Sequence, residues 1–167
     1  MLKTGVLAIG DLSRGDDAAA VFALRRLSQL VRPHSRKITF QESSGDLHEL
    51  LRAFRSFESI YILEVLWSKS PLNKNIEEFD AILNPLPQAE LRASPHALAL
   101  AQAIEVARAL GILPRQIRIF ALQGQRFAPH SEPSPKVCQL LEAMARVIHK
   151  ELEQDFITDH PQAIRAA

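Results

Sequence analysis

The stretch Ala8-Ile9-Gly10-Asp11-Leu12-Ser13-Arg14-Gly15-Asp16-Asp17 decides how this chain is read. An apolar run from Val6 to Ile9 stops at a glycine, and a short polar loop then delivers two adjacent carboxylates to the start of an apolar-periodic segment. Strand, glycine turn and helix, in that order, open an α/β domain. In such domains the chemistry sits in the crevice beyond the carboxyl ends of the strands.

Outward from that unit, strand-length apolar runs alternate with helix-length amphipathic stretches. Strands are predicted over residues 5–9, 37–41, 59–66, 79–86 and 116–122, with 59–66 central because it is the most hydrophobic. Helices are predicted over 16–31, 47–55, from Ser94-Pro95 to Leu110, and from Ser134-Pro135 onward. Serine before a proline at the first helical position, and Gly111 after the last, mark helix ends. Residues 68–78 and 123–133 read as loops. The expectation is one three-layer α/β/α sandwich over residues 1–156, around a mainly parallel, twisted sheet of about five strands, with 157–167 as a flexible tail.

Composition narrows the function. The chain has 167 residues, a net charge of +1 and no basic block interleaved with aromatics, so nucleic acid is not an expected partner. No apolar stretch approaches the length of a membrane span, and the N-terminus has no signal-peptide pattern. A single cysteine, Cys138, excludes an internal disulfide or thiolate cluster; its register suggests a buried, inert thiol. A reduced, cytoplasmic, monomeric protein is expected. Phosphate loops, zinc-protease helices and serine-nucleophile elbows have no counterpart in the sequence.

Three residues hold chemical interest. Asp16 and Asp17 can serve the helix: Ser13-x-x-Asp16 matches a capping box, and acids suit a first turn. Two acids cannot both fill that box, and Ala18-Ala19-Ala20 leaves room for Asp17 to face the crevice. Glu64 interrupts an apolar strand, where a carboxylate is costly unless paired, protonated or bound to a cation. Otherwise it turns to solvent or pairs with Lys69. His96 stands at the second position of its helix, where the dipole favours the neutral imidazole that a metal requires, although capping or surface exposure also suits it. His130 reads as a surface residue and a weaker ligand candidate. Together, Asp17, Glu64 and His96 would make a mixed carboxylate–histidine metal site.

In their order and spacing these motifs resemble the hydrogenase maturation proteases, from about Val6 to Leu152. The family's strand–Gly-Asn–acidic-pair opening corresponds to Gly10-Asp11 through Asp16-Asp17, and its strand-end aspartate to Glu64. Its Ser-Pro-His motif corresponds to Ser94-Pro95-His96, with Gly111 and Pro114 beyond the helix. Its final loop and helix start correspond to Pro129-His130 and Ser134-Pro135-Lys136-Val137. The resemblance implies an endopeptidase that removes the C-terminal extension of the nickel–iron hydrogenase large-subunit precursor. It also implies Asp17, Glu64 and His96 as metal ligands, Asp17 and Glu64 as catalytic acids, and a nickel ion carried by the substrate, for which other divalent metals can substitute. The chain departs from the pattern at Glu64 for aspartate, Asp11 for asparagine, Ala18 for glycine, Ser44-Gly45-Asp46 for paired glycines, Leu122-Gln123-Gly124 for Gly-x-x-Pro, and Glu132 for glycine. These changes leave open a degenerate relative acting as a hydrogenase assembly chaperone or metal-checking binding protein.

Overall fold

Among the described residues, five strands and four helices follow one another in the order the sequence suggests. The computed structural model describes residues 3–31, 38–67, 76–83 and 95–159. Strand β1 (Thr4–Ile9) leads through a 3-10 turn (Gly15–Ala18) into α1 (Ala19–Leu30). β2 (Ile38–Ser43), α2 (Leu47–Ser56) and β3 (Ser59–Trp67) follow. β4 (Glu77–Asp80), α3 (Pro95–Ala109), β5 (Gln116–Gly124) and α4 (Pro135–Asp159) complete the chain. The last helix passes the 157 boundary read from the sequence, and residues 160–167 lie outside the described part.

The strand order is β2-β1-β3-β5-β4. The first four strands of that order run parallel, and β4 pairs with β5 antiparallel at the edge. Sheet growth turns around between β1 and β3, which opens a crevice beyond their carboxyl ends. Strand alternation splits the core into two layers. Val6, Ala8, Tyr61, Leu63, Val65, Phe120 and Leu122 face α1 and α4. Leu7, Ile9, Ile60, Ile62, Ile117 and Ile119 face α2 and α3.

Several element boundaries differ from the sequence reading for identifiable reasons. The first helix starts as a 3-10 turn, because Asp16 and Asp17 are engaged elsewhere and α1 begins only at Ala19. β4 covers Glu77–Asp80 rather than 79–86, since the Asp80 carboxylate accepts the Ile82 and Leu83 N–H groups (2.9 and 3.1 Å) and turns the chain. Ser94 lies outside the described residues. Gly111, at φ +65, closes α3 as expected: its N–H donates to Arg108 and that of Ile112 to Ala107. Cys138 is exposed, not buried, because α4 buries Val137, Leu140, Met144 and Ile148. Among the described residues no helix is long and apolar enough to cross a membrane.

Candidate functional site

Asp17 is placed by a close backbone approach. A side chain on Gly10 would meet the Asp17 carbonyl oxygen at 2.3 Å, so only glycine lets the end of β1 pass under the 3-10 turn. The neighbouring alanines are not spacers around open room: Ala18, Ala19 and Ala20 are wholly buried, and the last two pack on the sheet face of Val6 and Ala8. Asp17 is itself buried. Its Oδ2 accepts the Asp11 N–H (3.0 Å) and lies 3.3 Å from Nε2 of His96. Its Oδ1 is buried with no hydrogen-bond partner among the described residues.

Glu64 sits within β3, not at its end; the strand continues to Trp67, pairing with β5 as far as Gly124. The register Ala8↔Leu63 puts Glu64 one residue on, level with the end of β1. By alternation it shares the face of Ile60, Ile62 and Leu66, the side covered by α2 and α3. It does not turn to solvent, being 1% exposed, and Lys69 lies outside the described residues. Its Oε1 accepts the Val65 N–H at 3.3 Å, while Oε2 is buried and unpartnered among the described residues. Burial, and then the nearby charge of Asp17, push the Glu64 carboxyl well above its ordinary range. The group holds its proton at a pH where an exposed glutamate has lost it.

His96 arrives from the opposite wall. The start of α3 is held over the sheet by Ala97, which packs with Leu66 and Ala121, the latter being the register partner of Glu64. The helix dipole alone favours a neutral imidazole, but the structure reverses that expectation. The hydrogen bond to Asp17 raises the His96 pKa, burial opposes it, and the charge of Asp17 adds to the rise. The cation is favoured, as a partner of the carboxylate.

Asp11, Asp17 and His96 thus line one crevice with Glu64 beneath them. A cleft of about 440 Å³ beside it is bordered by Gly10, Asp11, Leu12, Ser43, Ser44 and His96. Asp11 is held below the usual carboxylate range by the Ser13 hydroxyl and N–H, both on Oδ1 (2.7 and 2.8 Å). The same hydroxyl therefore does not form the capping box; Arg14 precedes the 3-10 turn without a side-chain cap. Among the described residues no three histidine, cysteine or acidic side chains stand close enough together to hold a metal ion by themselves. The donor set nevertheless suits a borderline divalent cation: two carboxylates, each with one buried unused oxygen, and an imidazole.

Asp16 has a different role, one that the sequence did not reveal. Its carboxylate accepts the N–H groups of Gln125 (2.8 Å), Arg126 (2.9 Å) and Ser134 (2.6 Å). Burial would raise this carboxyl, but those donors hold it below the usual range. Asp16 therefore clamps the segment between β5 and α4 to the first turn. Its partners lie more than a hundred residues away, and the only local hints are Gly124 and Gly15. A side chain on Gly124 would meet the Asp16 Cβ at 2.8 Å, and one on Gly15 would meet the Arg126 carbonyl at 2.4 Å. His130 is exposed, at φ 59, and takes no part in the crevice.

No protein-family model matches the chain, and no curated protein matches it. Solved structures do. An endopeptidase from Escherichia coli, solved in solution, superposes with a TM-score of 0.78 at 20% identity, covering 92% of this chain and 94% of that one. The hydrogenase maturating endopeptidase HybD from E. coli gives a TM-score of 0.74 at 18% identity over 92% and 94% of the two chains. The NiFe hydrogenase maturation protease HybD from Thermococcus kodakarensis gives 0.69 at 21% identity over 89% and 98%. The chain has the fold of the hydrogenase maturation endopeptidases.

Proposed function

We propose that this protein is a divergent hydrogenase maturation endopeptidase that removes the C-terminal extension of a nickel–iron hydrogenase large-subunit precursor. In this reading the nickel already seated in the precursor is part of the substrate, and Asp17, Glu64 and His96 are the groups that meet it. The carrying observation is the pair of buried carboxyl oxygens, Asp17 Oδ1 and Glu64 Oε2, that have no partner among the described residues and lie at the switch point of the sheet, with the His96 imidazole on Asp17. Leaving such oxygens unpaired costs about 1–3 kcal/mol each. A fold keeps them where a cation is to be received. The likeness of fold to the maturation endopeptidases supports the same reading.

Without substrate, Asp17 is tied to His96, and burial favours the protonated form of Glu64. A divalent cation competes with both protons and leaves the carboxylates ionised. Either carboxylate can then accept the proton of the attacking water. The water oxygen bonds to the scissile carbonyl carbon, the carbon–nitrogen bond breaks, and a proton passes to the departing amine. Oxygen and nitrogen donors, with no thiolate, allow the ion to remain with the substrate afterwards.

Mass spectrometry of the large-subunit precursor, incubated with this protein with and without nickel in the precursor, tests the reading. Loss of a discrete C-terminal peptide from the nickel-loaded form alone is expected, and Glu64→Ala should abolish it. An intact nickel-loaded precursor overturns the protease reading, and its co-purification with the protein would indicate an assembly chaperone instead.

A further inference from the structure

We propose that Gly45 is a positioning residue for His96: its bare Cα is the wall on which the imidazole rests, held in place by the Ser43–Glu49 hydrogen bonds. The proposal builds on the reading of His96 as part of the nickel-engaging site. Gly45 is buried at φ +80, and a Cβ there would stand 3.0 Å from His96 Nδ1 and 2.9 Å from Ile9 Cγ2. On the other side of the ring, Nε2 is 3.3 Å from Asp17 Oδ2. The imidazole therefore lies between Asp17 and the Gly45 backbone, and a side chain at 45 would push it along the line of its contact with Asp17.

The wall is braced from behind. Oε2 of Glu49 accepts the Ser43 hydroxyl (2.7 Å), the Ser44 N–H (3.0 Å) and the Ser44 hydroxyl (3.2 Å). Ser43 Oγ in turn accepts the Gly45 N–H at 3.1 Å. The Ser43 carbonyl accepts the Gly10 N–H at 3.4 Å, which joins this loop to the turn that presents Asp17. One connected set of bonds thus registers both partners of the Asp17–His96 contact.

The molecule contains its own control. Gly111 has φ +65 but open space where its Cβ would be, so Gly111→Ala carries the left-handed strain without touching any other group. Both Gly45→Ala and Gly111→Ala should lower the melting point by roughly 2–4 °C from strain. Only Gly45→Ala should shift the His96 imidazole ¹⁵N and ¹H resonances of the metal-free protein. It should also weaken Ni²⁺ binding, measured by calorimetry with the metal alone, by roughly 10–100-fold, whereas Gly111→Ala should leave that affinity unchanged. Unmoved His96 resonances in Gly45→Ala, or equal movement in Gly111→Ala, overturn the proposal. If Gly45→Ala does not fold, Glu49→Ala replaces it: it removes the brace without adding bulk, and unshifted resonances there overturn the proposal equally. A wild-type protein that binds no Ni²⁺ would fail the functional reading, while the imidazole resonances still decide the role of Gly45.

Discussion

The two ends of the sheet treat their polar groups in opposite ways. At the amino end, the Tyr61 hydroxyl donates to Asp155, Gln116 reaches the same carboxylate (3.3 Å), and Ser59 donates to Gln116 (2.7 Å). Arg118 lies between Glu78 and Glu151, 2.5 Å from the latter, with its guanidinium over the rings of Tyr61 and Phe120. Each of these four charged groups has a partner, and the network fastens α4 to β3 and β5. At the carboxyl end, Asp17 and Glu64 are buried more deeply, and each keeps one oxygen without a partner among the described residues. The first arrangement is what polar groups do when their task is to hold a fold. The second is the arrangement that the ligand of the proposed function would complete.

The largest effect that would break this comparison is catalytic. Asp17→Asn keeps the shape of the side chain and removes its charge, so cleavage of the nickel-loaded precursor should fall about 10²–10⁴-fold. The asparagine oxygen can still accept the Asp11 N–H, so the denaturation midpoint should fall only by the loss of the charged pairing with His96, about 1.5–3 kcal/mol. A collapse of stability with activity retained would make Asp17 a structural acid like its neighbour Asp16. Gel-based cleavage assays and urea titrations on the same preparation separate the two outcomes.

The converse holds at the amino end. Arg118→Met keeps much of the apolar length of the side chain but strands Glu151 and Glu78 and loses the contact with both rings. Glu78 is about half exposed and loses little, so the cost should be about 2–3 kcal/mol, that of charge-assisted hydrogen bonds. Unfolding should be earlier and cleavage per folded molecule unchanged. A loss of activity without loss of stability would join the two ends in a way that the contacts do not suggest.

The sequence disclosed the two ends unequally, and the reason is range. Apolar runs and helix stripes are local, so the five strands and four helices of the described residues are readable, and Asp17, Glu64 and His96 can be singled out from the sequence. Glu64 stood out because a carboxylate in an apolar strand has no cheap explanation. What was misread depended on distant partners. Asp16 looked like a helix cap because nothing nearby announced Gln125, Arg126 and Ser134. His96 looked neutral because the dipole is local, whereas Asp17, which outweighs it, comes from another element. Cys138 was placed on the wrong side of α4 because Val137 and Leu141 admit two faces, and the buried choice runs through Leu140 instead. The Arg118 network was invisible for the same reason, its members being scattered over β3, β4, β5 and α4.

The smallest expected effect is also the sharpest, because it has opposite signs at two neighbouring positions in the fold. Asp16 has a folded pKa below its unfolded value, so its contribution to stability is present above pH 3.8, the ordinary aspartate value, and is lost as the pH falls through the folded pKa. Glu64 has a folded pKa above its unfolded value of 4.5, so the folded state binds the proton more tightly. Its contribution is fully present below pH 4.5 and is lost as the pH rises from there towards the raised pKa. Glu64→Met replaces the carboxyl with an apolar group of similar length on the face shared with Ile62 and Leu66. The metal-free variant should therefore be more stable than wild type near neutral pH by about 1–3 kcal/mol, the cost of an unsatisfied buried polar group. Its stability should decline less with rising pH above 4.5, leaving the loss that His96 carries above pH 6.5, while the acid-side loss carried by Asp16 persists. Urea unfolding across pH 3 to 8 on the metal-free proteins measures both arms. An unchanged alkaline arm in Glu64→Met would mean that Glu64 is already paired, and the carboxyl end would then be as closed as the amino end. An alkaline arm reduced to the part that His96 carries, together with lost cleavage, would show that the protein accepts a less stable fold in order to keep that oxygen open.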